Sequence, residues 1–201
     1  MGINQTNCYL LGKKDGEIII VDPGAEPNKI LRLAQTAGKV IQIVNTHGHF
    51  DHIGGNEYIK EQTSCELLIY REERELLRDP KKNLSGYLGT ANIVSPPADR
   101  LLEENDVIHA GEKEFRVLHT PGHSMGGACF YCEEEGILLS GDTIFKSGVG
   151  RTDFPGCSRK KLMNSIKTKL LSLPGRTQVL PGHGEKTTIQ EFKVKTWEKM
   201  Y

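Results

Sequence analysis

The sequence shows no excess of charge of either sign. Its 26 lysine and arginine residues balance its 26 aspartate and glutamate residues, so the 201-residue chain has a formal net charge of zero. A chain with no net charge does not attract phosphate backbones or anionic lipids. We therefore expect it to bind neither nucleic acid nor a membrane surface. The neutral charge also disfavours a nuclease.

Long apolar runs are also missing. No stretch approaches the roughly 20 apolar residues that a membrane-spanning helix needs, and the opening MGINQTNCYLLGKKDG contains no basic leader followed by an apolar core. We therefore expect a soluble, untargeted, cytoplasmic protein. At 201 residues the chain is long enough for one hydrophobic core and short for two, so residues 1–201 are expected to form a single domain.

Cysteine is scarce. The five cysteines are an odd number, spread along a chain that is large enough to fold without crosslinks, so disulfides are not required and reduced thiols suit a cytosolic protein. Cys129 and Cys132 form a CxxC pair, but residues three apart on a strand face opposite sides of the sheet. We interpret them as packing residues and not as a redox or zinc-binding pair.

Strand-like and helix-like segments alternate along the chain. The β-branched runs IIIV and IQIV are typical of strands that are buried on both faces. The predicted strands are NCYLLG, EIIIVDPG, KVIQIVNT, ELLIY, VIHAG, EFRVLHT, ACFYC, ILLSGD and TQVLPG. The predicted helices are PNKILRLAQTAG, GGNEYIKEQT, REERELL and KKLMNSIKTKLLSL, and the proline- and glycine-rich stretch 79–99 predicts a loop. The sequence therefore predicts a mixed α/β fold with sheets covered by helices.

The densest cluster of polar side chains is the segment VNTHGHFDHIGG, between a predicted strand and a predicted helix. His47, His49, Asp51 and His52 all fall within it. In an extended segment His47 and His49 point the same way, and Gly48 adds no side chain that would crowd them. Imidazole and carboxylate groups are metal ligands, so the pattern HxHxDH indicates a metal site and not an incidental polar loop.

Three more ligand-type residues follow predicted strands. His123 lies in TPGHSMGG, Asp142 in LLSGDT and His183 in LPGHGE. Loops at the ends of strands commonly carry the binding site of a rigid scaffold, so we expect these side chains to join the HxHxDH cluster. His109 and His119 lie inside predicted strands, where a histidine is usually satisfied by its surroundings, and we leave them out of the site.

These motifs resemble those of the metallo-β-lactamase superfamily, and within it the glyoxalase-II-like hydrolases. THGHFDHIGG, TPGHSMGG, SGDTIF and LPGHGE are similar to its four metal-binding motifs, in order, and VDPG resembles its early strand turn. The resemblance covers nearly the whole chain and implies an αββα sandwich, with two central mixed sheets flanked by helices. It also implies two divalent metal ions, expected to be zinc with iron or manganese as alternatives. The implied ligands are His47, His49 and His123 for one ion, Asp51, His52 and His183 for the other, and Asp142 as a bridge.

The same resemblance implies a hydrolase that cleaves a small thioester or related ester of the S-lactoylglutathione type. A hydroxide that bridges the two ions is the implied nucleophile, because a metal lowers the pKa of bound water from 15.7 to about 7. Asp51 is the candidate for orienting this hydroxide and accepting its proton. No serine or cysteine nucleophile is then needed, and a thiolate with a pKa near 8.5 leaves with little acid assistance.

Two departures from the glyoxalase II pattern bear on the substrate. The chain ends 18 residues after His183, so we expect the helical C-terminal domain that holds glutathione in the full-length enzymes to be absent. The stretch 151–154 replaces a lysine and a tyrosine that follow the bridging aspartate, although Arg151 can receive a substrate carboxylate through its planar fork. We expect the loops 79–99 and 146–156 to set substrate binding.

Three other interpretations stay open. GVGRTDFPG also resembles the persulfide dioxygenases, in which His47, His49 or His123 with Asp142 would hold a single iron and leave positions for oxygen. A non-catalytic metal-binding module is disfavoured because structural zinc sites usually close their coordination with cysteines. GHSMG at 122–126 fits the nucleophile elbow of serine hydrolases, but ACFYC predicts a strand where the elbow needs a helix.

Overall fold

The computed structural model describes residues 2, 4–87 and 92–200. Within them, the strands are β1 Tyr9–Gly12, β2 Gly16–Val21, β3 Gly38–Asn45, β4 Glu66–Tyr70, β5 Arg100–Leu102, β6 Val107–Ala110, β7 Lys113–His119, β8 Ala128–Cys132, β9 Ile137–Gly141, β10 Ile144–Phe145, β11 Gly148–Val149, β12 Gln178–Pro181 and β13 Thr187–Thr188. The α-helices are α1 Pro27–Ala37, α2 Phe50–Ile53, α3 Asn56–Thr63, α4 Arg159–Ser165 and α5 Ile189–Lys195. Shorter helical turns are the 3-10 helices Arg71–Glu73 and Trp197–Lys199 and the π-helix Ile166–Leu170.

The first sheet has the strand order β1-β2-β3-β4-β5, with β1 antiparallel to β2 and the remaining pairs parallel. Ile19 and Val21 of β2 face the second sheet, whereas Ile18 and Ile20 face helices α1 and α3. The run IIIV is apolar at every position because both faces of this strand are covered.

The second sheet has the order β13-β12-β9-β8-β7-β6, in which only β12 and β9 run parallel to each other. Phe130 and Cys132 of β8 face the first sheet, and Cys129 and Tyr131 face the side covered by α4 and α5. Both cysteines of the CxxC pair are fully buried, on opposite faces. The packing interpretation is confirmed.

The two sheets pack face to face. Val44 and Leu68 of the first sheet belong to the same buried cluster as Val117 and Leu139 of the second. Helices α1 and α3 cover the outer face of the first sheet, and α4 and α5 cover that of the second. This αββα arrangement of two mixed sheets confirms the predicted fold class. None of the described helices is long and apolar enough to cross a membrane.

The predicted helix over REERELL is wrong beyond its first turn. Only Arg71–Glu73 is helical, as a single 3-10 turn, and residues 74–78 continue as turns. Two residues of this segment are buried, Leu77 and Glu73, and the carboxylate of Glu73 accepts hydrogen bonds from backbone amides of two other loops. Those contacts, and not the apolar spacing of a helix face, determine the local backbone.

The helix predicted over 160–173 begins as α4 and then widens into the π-helix Ile166–Leu170. Ile166 and Leu170 are both buried in the cluster that covers the second sheet, so the apolar spacing correctly indicated the buried face. The predicted loop 79–99 is without regular secondary structure where it is described, and residues 88–91, among them Gly89, lie outside the described residues.

Strands from both sheets end at one edge of the sandwich. The parallel strands β2 and β3 end there in the first sheet, and β9 and β12 end there in the second. The backbone amide of Ala128 donates to the carbonyl of Thr46 at 2.9 Å, and that of Asn7 donates to the carbonyl of Gly182 at 2.7 Å. These bonds bring the loops after β3 and β12 next to the start of β8 and to the first residues of the chain.

Candidate metal centre

The loops at this edge bring all seven predicted ligand residues together. Four of them lie in the loop after β3 and in α2, and the others follow β7, β9 and β12. Their ligand atoms form three overlapping groups, and within each group the atoms lie within 4.8 Å of one another. The groups are His47, His49 and His123; His47, His52 and Asp142; and Asp51, His52 and His183.

The first group consists of three buried imidazoles. Nδ1 of His49 lies 3.0 Å from Nε2 of His123, and the ring centroid of His47 lies 4.6 Å from that of His49 and 4.9 Å from that of His123. The three rings meet nearly edge to face, with interplanar angles of 79–86°. Their nitrogens therefore converge on one small volume that excludes most solvent.

The carboxylate of Asp142 lies between the two outer groups. Its Oδ2 is 3.5 Å from Nε2 of His123 and 3.4 Å from Nε2 of His183, and its Oδ1 is 3.5 Å from Nε2 of His52. In the group of Asp51, the Nε2 atoms of His52 and His183 are 3.3 Å apart, and Asp51 Oδ2 is 3.3 Å from the latter. One carboxylate thus contacts ligand atoms of both groups.

Acceptors behind three of the imidazoles fix their protonation. Nδ1 of His52 lies 2.9 Å from a carboxylate oxygen of Asp22. Nδ1 of His123 lies 2.9 Å from the carbonyl oxygen of Arg151, and Nδ1 of His183 lies 3.0 Å from that of Asn4. Because these oxygens accept hydrogen bonds, Nδ1 carries the proton of each imidazole in its neutral form, and Nε2 is the nitrogen left to bind a metal ion. Lone pairs that face one another repel unless a cation lies among them, and metal-bound histidines are oriented in this way.

Two buried atoms of the cluster have no hydrogen-bond partner among the described residues: Nε2 of His47 and Oδ1 of Asp142. Buried polar atoms are normally hydrogen bonded, so each needs an explanation. A metal ion coordinated by these atoms provides one. Imidazole nitrogens and carboxylate oxygens without cysteine sulfur are the donors of catalytic metal sites, so the residues fit divalent metal ions.

Electrostatics divide the histidines into two kinds. Burial, reinforced by neighbouring imidazoles, lowers the pKa of His47, and burial lowers the pKa of His49 to about 3. Burial also opposes a charge on His52 and His183, but Asp142 and other carboxylates outweigh it and raise their pKa to about 9 and about 10. Burial would raise the pKa of the two clustered carboxylates, yet the imidazoles beside them lower it. The group nearest the carboxylates is therefore built to hold positive charge.

Glu73 has a position that the sequence pattern did not reveal. It is fully buried, and its two carboxylate oxygens accept hydrogen bonds from the backbone amides of Gly48 at 2.7 Å and Gly126 at 2.6 Å. Burial raises the pKa of its carboxyl group despite these bonds. Gly48 lies between His47 and His49, and Gly126 lies in the loop of His123, so Glu73 ties together the two loops of the first group.

Asp22 is the second residue whose role the sequence left unassigned, although its motif VDPG was recognised. It is buried at the end of β2 with a left-handed φ of 51°. Its Oδ1 accepts from the backbone amide of Thr46 at 2.8 Å, and its Oδ2 accepts from the Thr46 hydroxyl at 2.7 Å and from Nδ1 of His52. It connects β2 to the loop after β3 and holds one imidazole of the site.

Gly182 precedes His183 at a point where no side chain fits. A Cβ atom at this position would lie 2.2 Å from Oδ1 of Asp142 and 2.8 Å from Cε1 of His52. Such distances are below van der Waals contact, so the backbone approaches the cluster only because residue 182 is glycine.

The side chain of Arg151 is exposed and already paired. Its Nε and Nη2 donate to the two carboxylate oxygens of Asp153 at 3.0 and 2.7 Å, and its guanidinium carbon lies 4.4 Å from the ring centroid of Phe154. The Phe154 ring in turn lies 6.3 Å from that of His49. Arg151 thus reaches the mouth of the site, with its planar fork occupied by a carboxylate of the same loop.

The residues left out of the site lie apart from the cluster. His109 is exposed, 3.9 Å from a carboxylate oxygen of Glu114. His119 stacks on Tyr70 with ring centroids 4.2 Å apart, and its Nε2 lies 3.1 Å from the carbonyl of Met125. Ser124 is followed by the non-helical residues 125–127 and then by β8, so the helix of a nucleophile elbow is not present there.

The family model described as "Metallo-beta-lactamase superfamily" matches residues 1–183. The chain belongs to the metallo-beta-lactamase superfamily. Among curated members, it is 37% identical over 190 residues to "Probable metallo-hydrolase YqgX" of Bacillus subtilis (strain 168), covering 94% of this chain and 90% of that protein. It is 32% identical over 191 residues to "Hydroxyacylglutathione hydrolase GloC" of Haemophilus influenzae, with the same coverage of 94% and 90%.

Solved structures of the superfamily show the same fold. TTHA1623, solved in a di-iron-bound form, superposes with a TM-score of 0.88 at 37% identity, covering 98% of this chain and 96% of that one. The protein is accordingly a metallo-hydrolase of the superfamily. Its histidine and aspartate cluster has the donor atoms that divalent metal ions require.

Proposed function

We propose that the protein hydrolyses a small thioester or related ester of the S-lactoylglutathione type, using two divalent metal ions. The observation that carries the proposal is the pair of ligand groups that share the carboxylate of Asp142, with lone pairs directed inward. The relative named hydroxyacylglutathione hydrolase supports the substrate class, and the relative solved with two irons supports two ions. Zinc is the proposed metal. Iron and manganese are alternatives, because the supply of each metal in the cell often decides which first-row metal a site binds.

The proposed ligands follow the geometry of the cluster. Each ion would have three ligands of its own, and one carboxylate would lie between the two sets. The ligands are His47, His49 and His123 for the first ion, Asp51, His52 and His183 for the second, and Asp142 between them.

Two divalent ions bound at this site supply an activated water near neutral pH and polarise the substrate carbonyl. Asp51 orients the water and accepts its proton, because Oδ2 of Asp51 faces the cluster 3.3 Å from Nε2 of His183 and is held by the Thr6 hydroxyl at 3.2 Å. The water oxygen bonds to the carbonyl carbon, and the carbon–sulfur bond breaks. The departing thiolate, with a pKa near 8.5, takes the proton, so the products are a carboxylic acid and a thiol.

Arg151 is the proposed contact for a carboxylate of the substrate. Its guanidinium group already binds one carboxylate, that of Asp153, in the two-pronged geometry that a substrate would use. Since both side chains are exposed, exchange of Asp153 for a substrate carboxylate requires no buried group to move.

The test is the hydrolysis of S-lactoylglutathione by protein loaded with zinc, manganese or iron, measured as released thiol. We expect turnover that is lost with a chelator and restored by metal, and lower rates on a lactone and a β-lactam. Turnover that survives complete metal removal, or no thioester hydrolysis with any of the three metals, would contradict the proposal.

A mononuclear iron persulfide dioxygenase is the second candidate. The group of His47, His52 and Asp142 is a set of two histidines and one carboxylate, the ligand type of non-haem iron oxygenases. One tightly bound iron per chain together with oxygen uptake on glutathione persulfide would favour this function over hydrolysis.

A further inference from the structure

A cleft of about 610 Å³ opens beside the metal ligand His49. One wall is the segment 71–76, a second is the segment 81–87, and the third is formed by residues 124–125 and 155–157. The volume lies within the range of small-molecule sites, roughly 300–1,000 Å³. Because His49 belongs to both the first ligand group and the cleft, a molecule that reacts at the cluster can extend directly into this space.

The cleft is cationic, whereas the chain as a whole is neutral. Four basic and two acidic side chains line it: Arg71, Arg74, Lys81 and Lys82, and Glu72 and Glu75. Arg71 is paired with Glu103 outside the cleft, and Lys82 is paired with Glu75. Arg74 and Lys81 are exposed and have no ion-pair partner in the part of the chain that the structure describes.

The cleft also has an apolar floor. It consists of Leu76, which is half-buried, and Leu84, which is buried, and Met125 and Pro155 also line the cleft. Met125 is 57% exposed, which is high for a large apolar side chain. An apolar floor with separate charged groups suits an elongated ligand whose carbon chain packs along the floor and whose anionic groups bind the cations.

We propose that this cleft binds the thiol half of the substrate, and that the thiol is anionic, with its negative groups held by Arg74 and Lys81. The inference rests on the proposed thioester hydrolysis and adds a substrate class to it. The acyl group lies at the metal cluster, the sulfur passes His49, and the remainder of the thiol extends along Leu76 and Leu84. Carboxylates and phosphates satisfy the two cations equally, so the thiols of glutathione and coenzyme A are both of this class.

The kinetic test uses three lactoyl thioesters, those of glutathione, of coenzyme A and of the neutral thiol N-acetylcysteamine. The variant is Arg74→Glu combined with Lys81→Glu, and the matched control is Lys167→Glu combined with Lys193→Glu, which reverses two exposed charges away from the cleft. We expect kcat/KM to fall by about tenfold or more for the anionic thioesters in the variant, and by less at high ionic strength, because exposed charges are screened. The neutral thioester and the control pair should change by less than about twofold to threefold. Comparison of the two anionic esters shows whether carboxylates or phosphates are preferred.

A binding measurement separates this inference from the proposed function. S-methylglutathione cannot be hydrolysed, and calorimetry on the metal-loaded protein reports its affinity without any turnover. Affinity that falls about tenfold in the Arg74→Glu, Lys81→Glu protein but not in the control supports the cleft, even if no thioester is hydrolysed. Undetectable binding to the unmodified protein, equal binding to all three proteins, or an equal loss of kcat/KM on the neutral and anionic esters overturns it.

Discussion

Nδ1 of His52 lies 2.9 Å from a carboxylate oxygen of Asp22, and both side chains are buried. The carboxylate accepts a hydrogen bond from Nδ1–H, so Nε2 is the nitrogen that faces Asp142 and His183. The orientation of a proposed metal ligand is thus determined by a residue that lies 30 positions earlier in the chain.

Asp22→Asn is expected to weaken metal binding by about 10–100-fold, the usual effect of losing an outer hydrogen-bond partner of a metal-bound histidine. An asparagine can present its amide nitrogen to His52, which leaves the imidazole without its acceptor. The measurement is metal affinity by competition with a chromophoric chelator. Asp15→Asn, at an exposed turn, is the matched control and should bind metal like the unmodified protein. Unchanged affinity in Asp22→Asn would show that the imidazole is oriented by other contacts.

Asp142→Ala should remove metal and activity together, since one carboxylate contacts both ligand groups. We expect about two metal ions per chain in the unmodified protein by elemental analysis, and a rate loss of more than about 100-fold in the variant. Ser124→Ala should keep most of its turnover and its full metal content. Inactivation by serine-directed phosphonates, with no effect of chelators, would contradict the metal mechanism.

Glu73→Gln should lower metal content preferentially at the group of His47, His49 and His123. The amide oxygen can accept from Gly48 or Gly126, but the amide nitrogen then faces the other backbone N–H, a buried mismatch that costs about 1–3 kcal/mol. Elemental analysis should show a fall from about two ions per chain toward one, with circular dichroism unchanged. Glu61→Gln, on the exposed side of α3, is the control. Equal loss of both ions would mean that Glu73 supports the fold and not one ligand group.

Gly182→Ala should destabilise the protein and damage the site, because the new methyl group overlaps Asp142 and His52. Overpacking of this kind costs about 1–3 kcal/mol, which for a protein of this size lowers Tm by roughly 2–4 °C per kcal/mol. Gly148→Ala is a matched control, since a Cβ there meets nothing within 4 Å. The Tm and the metal content of the two variants are measured. If both variants behave alike, the backbone at Gly182 does not lie as close to Asp142 and His52 as described.

Much of the fold follows from local sequence. Runs such as IIIV are apolar at every position because alternate residues enter two different cores, and the spacing of Ile30, Leu31 and Ala34 gives the buried face of α1. The helix predicted over REERELL fails because the carboxylate of the buried Glu73 accepts hydrogen bonds from backbone amides of two other loops, so this residue is not part of an apolar stripe. A single domain over residues 1–201 and a cytoplasmic location stay predictions.

The sequence predicts those residues of the candidate site that lie in short contiguous motifs. HxHxDH, the two Pro-Gly-His loops and the Ser-Gly-Asp turn together named the seven residues whose ligand atoms the structure brings together. Glu73 was not predictable, since its partners lie 25 and 53 residues away and nothing in its neighbours marks them. That Arg151 contacts the substrate stays a prediction. In the structure its side chain is paired with Asp153.

The second ligand group draws together residues from opposite ends of the chain. His183 pairs with Thr6 in a β-bridge, and its Nδ1 bonds to the carbonyl of Asn4, 179 positions earlier. The contact between His183 and Asn4 closes a very long loop, and closing such a loop has an entropic cost that local contacts do not offset. We therefore expect this contact to form after most others. During synthesis, this group cannot form until His183 has left the ribosome, so the proposed second metal site is completed only after strands β1 to β12 have been made.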